Sequence, residues 1–327
     1  METQEKVNFG QKLGKIALMM WQNNQWGNLQ ILNRGEYKIP PECPAARFGH
    51  GIFDAFKATL NVHGKILIFR LPEHIKRFKK SAEKMGMPVI NEQEFHEAIL
   101  RLTKLYYGNL SEGTYLYFCP QLLNVTDDSM KAFAMTEYAL HFVACYVTNA
   151  TAPLTIKINP NVSRYKETAE IKVSGNYGAT VHPKMLADKE DCAGVLFSGD
   201  NIIQELETSN FFAVIDGKIY TPMLNGLILP GVTRDSIIQI ARNKGYEVVD
   251  ELLLLSFFME KLKTGNVSEA WTSGTAVGMS KIENFNYENE FFNLPTHTNT
   301  FEKLRTELCK AQRGEIFPEF TSLIPIK

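Results

Sequence analysis

The sequence of 327 residues has no excess of charge of either sign and no long apolar run. Its 35 lysines and arginines nearly balance 36 aspartates and glutamates, which leaves a net charge of −1. Such a chain has no electrostatic attraction for nucleic acid or for an anionic membrane. The densest apolar stretch, LLLLSFFM at 252–259, is much shorter than the ~20 residues that span a bilayer. Residues 1–14 also lack the apolar segment of a secretory signal. We therefore expect neither nucleic acid nor membrane as a partner, and a cytoplasmic location.

Motifs for several common kinds of site are missing as well. The five cysteines are odd in number and form no CxxC pair, so neither a disulfide framework nor a zinc knuckle is indicated. The seven histidines show no HExxH or comparable ligand spacing, and we expect no metal site. There is no GxSxG elbow, no Walker loop and no GxGxxG after a predicted strand. A serine nucleophile and nucleotide binding by those routes are therefore disfavoured.

Predicted strands and helices alternate on both sides of one loose segment. A chain of 327 residues suggests two domains, because single cores rarely grow past roughly 250–300 residues. The small polar residues and prolines at 146–163 are typical of a linker. We predict the α/β (α+β) class, with a small N-terminal domain over 1–146, a linker over 147–158 and a large domain over 159–327.

Sequence patterns predict several individual elements. Asn91 opens a helix that Gly108 ends, and the run at 113–123 alternates as a strand does. Asp216-Gly217 is a type I′ hairpin signal between two apolar runs. A second helix follows the glycine turn near residue 231, and a third lies near the C-terminus. We expect these three helices to bury Phe95, Ala98, Ile99, Leu102 and Tyr106; Ile237, Ile238, Ile240 and Ala241; and Phe301, Leu304 and Leu308.

Two glycine turns have the residues of an anion site. LPGVTRDS at 229–236 places a glycine just before a predicted helix, where free backbone N–H groups and the helix dipole attract a phosphate. WTSGTAVG at 271–278 adds three hydroxyl side chains to a second turn. Taken alone, each is more often a plain turn.

Five charged or titratable residues can be interpreted as either structural or functional. Arg77 lies on a basic predicted helix. A solvent-exposed helix face is the ordinary explanation of such a run of basic residues. Glu205 lies beside apolar strand residues, where a carboxylate needs a partner, either a structural arginine or lysine or a bound cofactor. Lys172 precedes Gly-Asn-Tyr-Gly by three residues and is either a surface charge or a functional amine. We interpret His50 and His74 as structural.

Taken in order, these segments resemble the branched-chain amino acid aminotransferases, pyridoxal-phosphate enzymes of fold type IV. The family's K-x-G-G-N-Y-G is close to KVSGNYG at 172–178, and its T-P-P-L-x-G-x-I-L-P-G-V-T-R is close to TPMLNGLILPGVTR at 221–234. TSGTA at 272–276 is similar to the family's G-S-G-T-A. The resemblance runs from about residue 44 to the end. Looser matches to E-x-G-T-M-N, F-R-x-x-x-N-x-x-R-M and Y-x-R-P are ELETSN (205–210), FRLPEHIKRF (69–78) and YFCP (117–120).

The resemblance implies a fold, a cofactor and a role for each matched residue. The fold has a smaller N-terminal α/β lobe and a larger C-terminal lobe with a barrel-like β core. Lys172 would be the Schiff-base lysine that holds pyridoxal 5′-phosphate and moves the proton on the substrate Cα. Tyr177 would hydrogen-bond the phenolic oxygen of the cofactor, and Glu205 would face its pyridine nitrogen. The phosphate would be held by Arg77, the backbone of Val232 and Thr233, and the hydroxyl of Thr275.

The resemblance implies ping-pong transfer of an amino group from leucine, isoleucine or valine to a 2-oxo acid such as 2-oxoglutarate. It also implies a homodimer and a role in amino-acid metabolism. Cys119 stands where the family has the arginine of Y-x-R-P, which contacts the side-chain carboxylate of glutamate. A thiol cannot replace a bidentate guanidinium, so use of glutamate is in doubt unless Arg47 or Lys57 serves. The implied substrate-binding residues are Phe48, Phe53, Tyr117, Thr208 and Ala276.

Two other hypotheses stay open at this point. One keeps the cofactor but changes the reaction, as in a D-amino acid transaminase or an aminodeoxychorismate-lyase-like enzyme. The other is a non-catalytic binding protein on the same scaffold. The set of Lys172, Tyr177, Glu205, Arg77 and Thr275 favours a catalyst, because a binding protein has no need of all five.

Overall fold

The structure is a computed structural model that describes residues 11–127, 134–148, 152–295 and 299–326. The chain divides into two compact units. The first contains Met1–Asn149, Lys172–Gly175 and Lys310–Lys327, and the second contains Ala150–Ile171 and Asn176–Cys309. The lysine segment and the C-terminal segment thus belong to the first unit, although both lie beyond the domain boundary predicted near residue 146. Part of the predicted linker, 149–151, lies outside the described residues. The domain boundaries stay a prediction.

The first unit is built on an antiparallel sheet with helices against it. Its central pair joins two eleven-residue strands in register from Thr114↔Thr148 to Asn124↔Tyr138. Its helices are α1 (Pro44–Phe48), α2 (Leu71–Lys84) and α3 (Glu92–Tyr106). Its strands are β1 (Gln11–Lys12), β2 (Lys15–Gln22), β3 (Gln25–Trp26), β4 (Gln30–Asn33), β5 (Gly51–Phe53), β6 (Phe56–Leu60), β7 (Ile66–Phe69), β8 (Thr114–Asn124), β9 (Tyr138–Thr148) and β18 (Thr321–Ile324).

The two faces of this sheet differ in burial because side chains alternate along each strand. One face packs on the helices: the ring of Phe95 in α3 lies 4.7 Å from Phe142 in β9 and 6.2 Å from Phe56 in β6, centroid to centroid. On β8 the residues that point to the other face, from Tyr117 to Leu123 at every second position, are only partly buried. This second face of the sheet is therefore less buried than the face that packs on the helices.

The second unit is built on a mixed sheet in the order β11-β10-β16-β15-β12-β13-β14, with β17 paired to β16. Its core includes Phe211, Phe258 and Phe285, whose rings meet edge to face. The α/β (α+β) class and the barrel-like core expected from the sequence are confirmed. The strands are β10 (Leu154–Asn159), β11 (Gly194–Phe197), β12 (Asn210–Ile215), β13 (Lys218–Pro222), β14 (Val248–Glu251), β15 (Val267–Gly274), β16 (Gly278–Tyr287) and β17 (Glu290–Asn293). The helices are α4 (Lys166–Ala169), α5 (Gly175–Gly178), α6 (Val181–Asp188), α7 (Val232–Asn243), α8 (Leu255–Lys263) and α9 (Thr300–Gln312).

Several local predictions are confirmed. Asp216 and Gly217 have φ of 48° and 79° and join β12 to β13, as a type I′ hairpin requires. Asn91 caps α3 by accepting the Gln93 N–H at 2.9 Å. Tyr106 of α3 is only partly buried, since its hydroxyl accepts the Lys15 N–H at 2.6 Å and must stay near polar groups. The other predicted apolar residues of α3, α7 and α9 are buried.

Through the described ranges, no helix combines the length and the apolar character needed to cross a membrane.

Candidate active site

The backbone around Lys172 is held on two sides within the first unit. On one side it pairs with β5, because the Phe53 N–H donates to the Lys172 carbonyl at 3.0 Å and the Ser174 N–H to the Gly51 carbonyl at 2.8 Å. On the other side the Lys172 N–H donates to the hydroxyl of Ser81 in α2 at 3.1 Å. The position of Lys172 is therefore set by a strand and a helix that precede it by about 90 residues or more.

The side chain of Lys172 is not a solvated surface charge. It is partly buried, and its Nζ lies 4.6 Å from the centroid of the Phe53 ring. A cation over an aromatic face is attracted by the ring quadrupole. The structure thus brings together the predicted lysine and one predicted substrate-binding residue.

Glycines permit the chain to pass close to α1 at this point. Gly49, at φ 66°, ends α1, and a Cβ on it would meet the Gly175 Cα at 3.0 Å. A side chain here would push the segment that follows Lys172 away from β5.

Arg77 lies in a buried cluster with Asp54 and His74. Its Nε and Nη2 donate to the two carboxylate oxygens of Asp54 at 2.8 and 2.7 Å, a bidentate pair. The Nδ1 of His74 lies 2.8 Å from Asp54 Oδ1, and none of the three side chains is more than 8% exposed. The predicted phosphate-binding arginine is therefore oriented by a carboxylate, and the solvated interpretation of Arg77 is wrong.

The cluster is connected to the lysine through α2. His74, Arg77 and Ser81 are spaced at i, i+3 and i+7 and lie on one face of the helix. The Ser81 hydroxyl donates to the Arg77 carbonyl at 2.9 Å while accepting from Lys172. One buried face of a basic helix thus holds both the arginine and the lysine backbone.

This cluster predicts a loss of stability in acid. The charge of Arg77 and the hydrogen bonds from Arg77 and His74 hold the pKa of Asp54 well below its usual range in spite of burial, and burial lowers the pKa of His74. Both groups bind protons more readily when unfolded, so the stability that they contribute is present at neutral pH. It declines as pH falls below 6.5 for His74 and below 3.8 for Asp54, their ordinary values. The measurement is the urea midpoint between pH 7 and pH 3. His74→Gln should flatten the upper part of that dependence, and an unchanged slope would contradict a buried neutral His74.

In the second unit, both oxygens of the buried Glu205 carboxylate have polar partners. It is 4% exposed, and its Oε2 accepts from the Asn210 amide at 2.9 Å and from the Leu229 N–H at 3.2 Å. Its Oε1 lies 3.1 Å from the Nε of Arg164. An opposite charge at this distance favours the ionised carboxylate against the cost of burial.

Arg164 is itself fixed. Its Nη2 donates to the carbonyls of Leu206 and Glu207 at 2.8 and 2.6 Å, and its guanidinium lies 5.0 Å from the Phe197 ring centroid. Arg164 therefore supplies the structural ion pair considered for Glu205, and the cofactor contact stays a prediction.

The N-terminus of α7 lies next to Asn210. A Cβ on Gly231 would meet Asn210 Oδ1 at 1.9 Å, so only glycine allows this approach. Within the described residues, no side chain caps α7. Val232 and Thr233 are buried in its first turn, and the first N–H groups of a helix lack intrahelical partners.

Ser273 shares the sheet face of Asn210. The two residues are directly paired between β15 and β12, and directly paired residues point to the same face. The Ser273 hydroxyl is buried and has no hydrogen-bond partner among the residues that the structure describes. Thr275 and Ala276 follow in the turn between β15 and β16, partly buried. Gly274 approaches the Thr208 carbonyl, to which a Cβ would be 3.8 Å, although Thr208 itself is exposed.

The remaining predicted residues occupy separate places. Tyr177 is partly buried in α5, a single helical turn that Asn176 ties to the preceding chain through bonds with Thr168. Tyr117 is partly buried on β8. Phe48 is 49% exposed at the end of α1, under the Arg47 guanidinium at 5.0 Å. The roles assigned to these residues stay predictions.

Sequence reasoning did not single out Arg164, Asn210 or Ser81. Asn210 is the last residue of the ELETSN motif, so the motif match could have identified it. Arg164 and Ser81 belong to no matched motif. No group of three potential ligands for a metal ion occurs in the described ranges.

Comparisons with known proteins agree on one family. The model of "Amino-transferase class IV" matches residues 51–285. A probable branched-chain-amino-acid aminotransferase of Staphylococcus aureus (strain MRSA252) is 31% identical over 276 residues, which cover 81% of this chain and 76% of that protein. The branched-chain aminotransferase of Thermoproteus uzoniensis, solved with norvaline, has a TM-score of 0.78 at 17% identity, over 94% of this chain and 100% of that one. The enzyme of Thermobaculum terrenum, solved in its PLP form, has a TM-score of 0.76 at 20% identity, over 94% and 98%.

Proposed function

Since this chain belongs to the class IV aminotransferases, we propose that it transfers the amino group of a branched-chain L-amino acid to a 2-oxo acid with pyridoxal 5′-phosphate as cofactor. The observation that carries the proposal is the placement of Lys172, with its backbone held on two sides and its amine over an aromatic ring. The name of the Staphylococcus aureus relative supports the branched-chain substrate.

The residues present fit the cofactor. Glu205 is a buried carboxylate paired with the Arg164 guanidinium, and an ionised carboxylate is what a protonated pyridine nitrogen needs as its partner. The first turn of α7 and the buried Ser273 hydroxyl offer N–H and O–H donors on the side where Asn210 lies. These are the groups that an anion such as phosphate needs.

When bound, pyridoxal phosphate supplies a carbonyl that takes up the amino group and a ring that withdraws electrons from the substrate Cα. Lys172 would hold the cofactor and, once released from it, would carry the proton between the substrate Cα and the cofactor. Glu205 would keep the ring nitrogen protonated, and Tyr177 would hydrogen-bond the phenolic oxygen. The residues proposed to hold the phosphate are Arg77, Val232 and Thr233 through their backbone, and Thr275.

The substrate side chain is expected on the open face of the first sheet. Phe53 and Tyr117 supply aromatic surface there, and Phe48 is proposed to bind the substrate as well. Thr208 and Ala276 are proposed to bind the substrate carboxylate. We also propose a cytoplasmic homodimer and the domain division at 146 and 159.

A single-turnover experiment tests the proposal. The protein loaded with pyridoxal phosphate should be yellow, and L-leucine should bleach that colour within one turnover whereas D-alanine should not. Bleaching by D-alanine without any by L-leucine would mean a D-amino acid transaminase. A loaded protein that no amino acid bleaches would be a binding protein.

A further inference from the structure

Three strands of the first unit place a row of side chains next to Lys172. Phe53 of β5 is directly paired with Gln121 of β8, and Gln121 is directly paired with His141 of β9. Directly paired residues share a face, with Cβ atoms about 5 Å apart. The row therefore begins under the Lys172 amine, which lies over Phe53, and runs across the partly buried face to His141.

Cys119 extends the row along β8. It lies two residues before Gln121, on the same face, and the Gln121 amide nitrogen is 3.7 Å from its sulfur. Val143 is its partner on β9. The surface that starts at the lysine is thus made of a thiol, an amide and an imidazole.

Burial favours the neutral forms of Cys119 and His141 at neutral pH. Burial raises the pKa of the Cys119 thiol to about 11, although the bond from Gln121 and the charge of Lys172 oppose it. Burial lowers the pKa of His141 to about 4, with a smaller effect of Arg34 in the same direction. The Nδ1 of His141 is buried and has no hydrogen-bond partner in the described part of the chain.

The cations near this surface are placed to its sides. Lys57 is 4% exposed and its Nζ lies 4.5 Å from the Tyr115 ring centroid. Lys57 is directly paired with Tyr117, on the same face as Cys119, but its Nζ lies over Tyr115, four residues from Cys119 along β8, so the ammonium is directed away from the row. Arg34 is exposed, where solvent screens its charge.

We propose that Cys119, Gln121 and His141 bind the end of the substrate side chain through neutral hydrogen bonds, and that the second amino acid that this enzyme uses, besides the branched-chain one, is an amide such as L-glutamine rather than L-glutamate. The inference rests on the proposed function, because it takes Lys172 as the reacting amine. A ping-pong enzyme binds both substrates in one place, and a neutral surface accepts an aliphatic side chain and an amide alike. A carboxylate without a cation would lose its hydration there.

The transfer balances without another reactant. The amino group on the Cα of glutamine ends on the branched-chain 2-oxo acid. Glutamine leaves as its own 2-oxo acid, with the side-chain amide intact.

Binding of three acids without an amino group tests the inference apart from turnover. 4-Methylpentanoic acid, 4-carbamoylbutanoic acid and glutaric acid have the skeletons of leucine, glutamine and glutamate, and calorimetry with the cofactor-loaded enzyme gives their dissociation constants. 4-Carbamoylbutanoic acid should bind at least about tenfold more tightly than glutaric acid, because glutaric acid would bury a carboxylate without a partner. Glutaric acid binding as tightly as the amide acid would overturn the inference.

Two variants locate the effect in the row. Gln121→Leu should remove the preference for the amide acid, since only hydrogen bonds are lost. The dissociation constant of 4-methylpentanoic acid should change by no more than about threefold. Gln93→Leu, the same change at an exposed position of α3, should alter nothing. Cys119→Arg should reverse the preference toward glutaric acid. An amide preference that survives in Gln121→Leu would overturn the assignment, and if that variant does not fold, the wild-type ratio still decides.

The two proposals fail differently. If L-leucine bleaches the loaded enzyme but glutaric acid is the better ligand, the amide inference is wrong and the proposed function stands. If L-leucine has no effect, both are wrong.

Discussion

Lys172→Ala is expected to abolish amino transfer and leave the fold intact. The backbone bonds of residue 172 with Phe53 and Ser81 do not involve the side chain, and loss of the contact with the Phe53 ring should cost only ~0.5–1 kcal/mol. A positioned proton-transfer group contributes about 10²–10⁴-fold in rate, so single turnover of L-leucine should slow by at least about 100-fold. The loaded variant should also lose the yellow colour of the wild type.

Chemical attachment identifies the lysine directly. Borohydride reduction of the loaded wild type, followed by peptide mass analysis, should find the cofactor on Lys172. Lys189→Ala, which removes an exposed lysine downstream, should bind and react like the wild type. Wild-type protein that stays colourless with pyridoxal phosphate would refute every catalytic interpretation of this chain.

Glu205→Gln is expected to destabilise the protein even before cofactor is added. The change is nearly isosteric but leaves the Arg164 guanidinium, 8% exposed, without its counter-charge. Removal of one partner of a buried ion pair typically costs about 3–5 kcal/mol in the free energy of unfolding. The cofactor should then also bind more weakly, because a neutral amide does not hold a protonated pyridine nitrogen.

Urea unfolding of the cofactor-free protein separates the two effects. Arg164→Met combined with Glu205→Gln should cost less than the sum of the single changes, since no unpaired charge remains. Gln239→Glu, a reversed change on the exposed face of α7, serves as a control of small effect. Additive costs in the double variant would show that the 3.1 Å approach of Arg164 and Glu205 contributes nothing to stability.

Local sequence patterns accounted for much of the fold. The α3 cap at Asn91, the Asp216-Gly217 hairpin and the start of α7 were predictable because each depends on residues close in the chain. Placement of the lysine segment in the first unit was not, because it depends on pairing between residues 51–53 and 172–174.

The sequence by itself determined the family, the class of fold and the lysine to examine, because the matched motifs are short and continuous. The tertiary structure decided what surrounds those residues: Asp54 orients Arg77, Arg164 holds Glu205, and Gln121 and His141 form the row beside Lys172. These partners lie from 20 to 51 residues apart in the chain. Charge and hydrogen bonding act over a few ångströms in space, so only the folded chain shows which carboxylate meets which guanidinium.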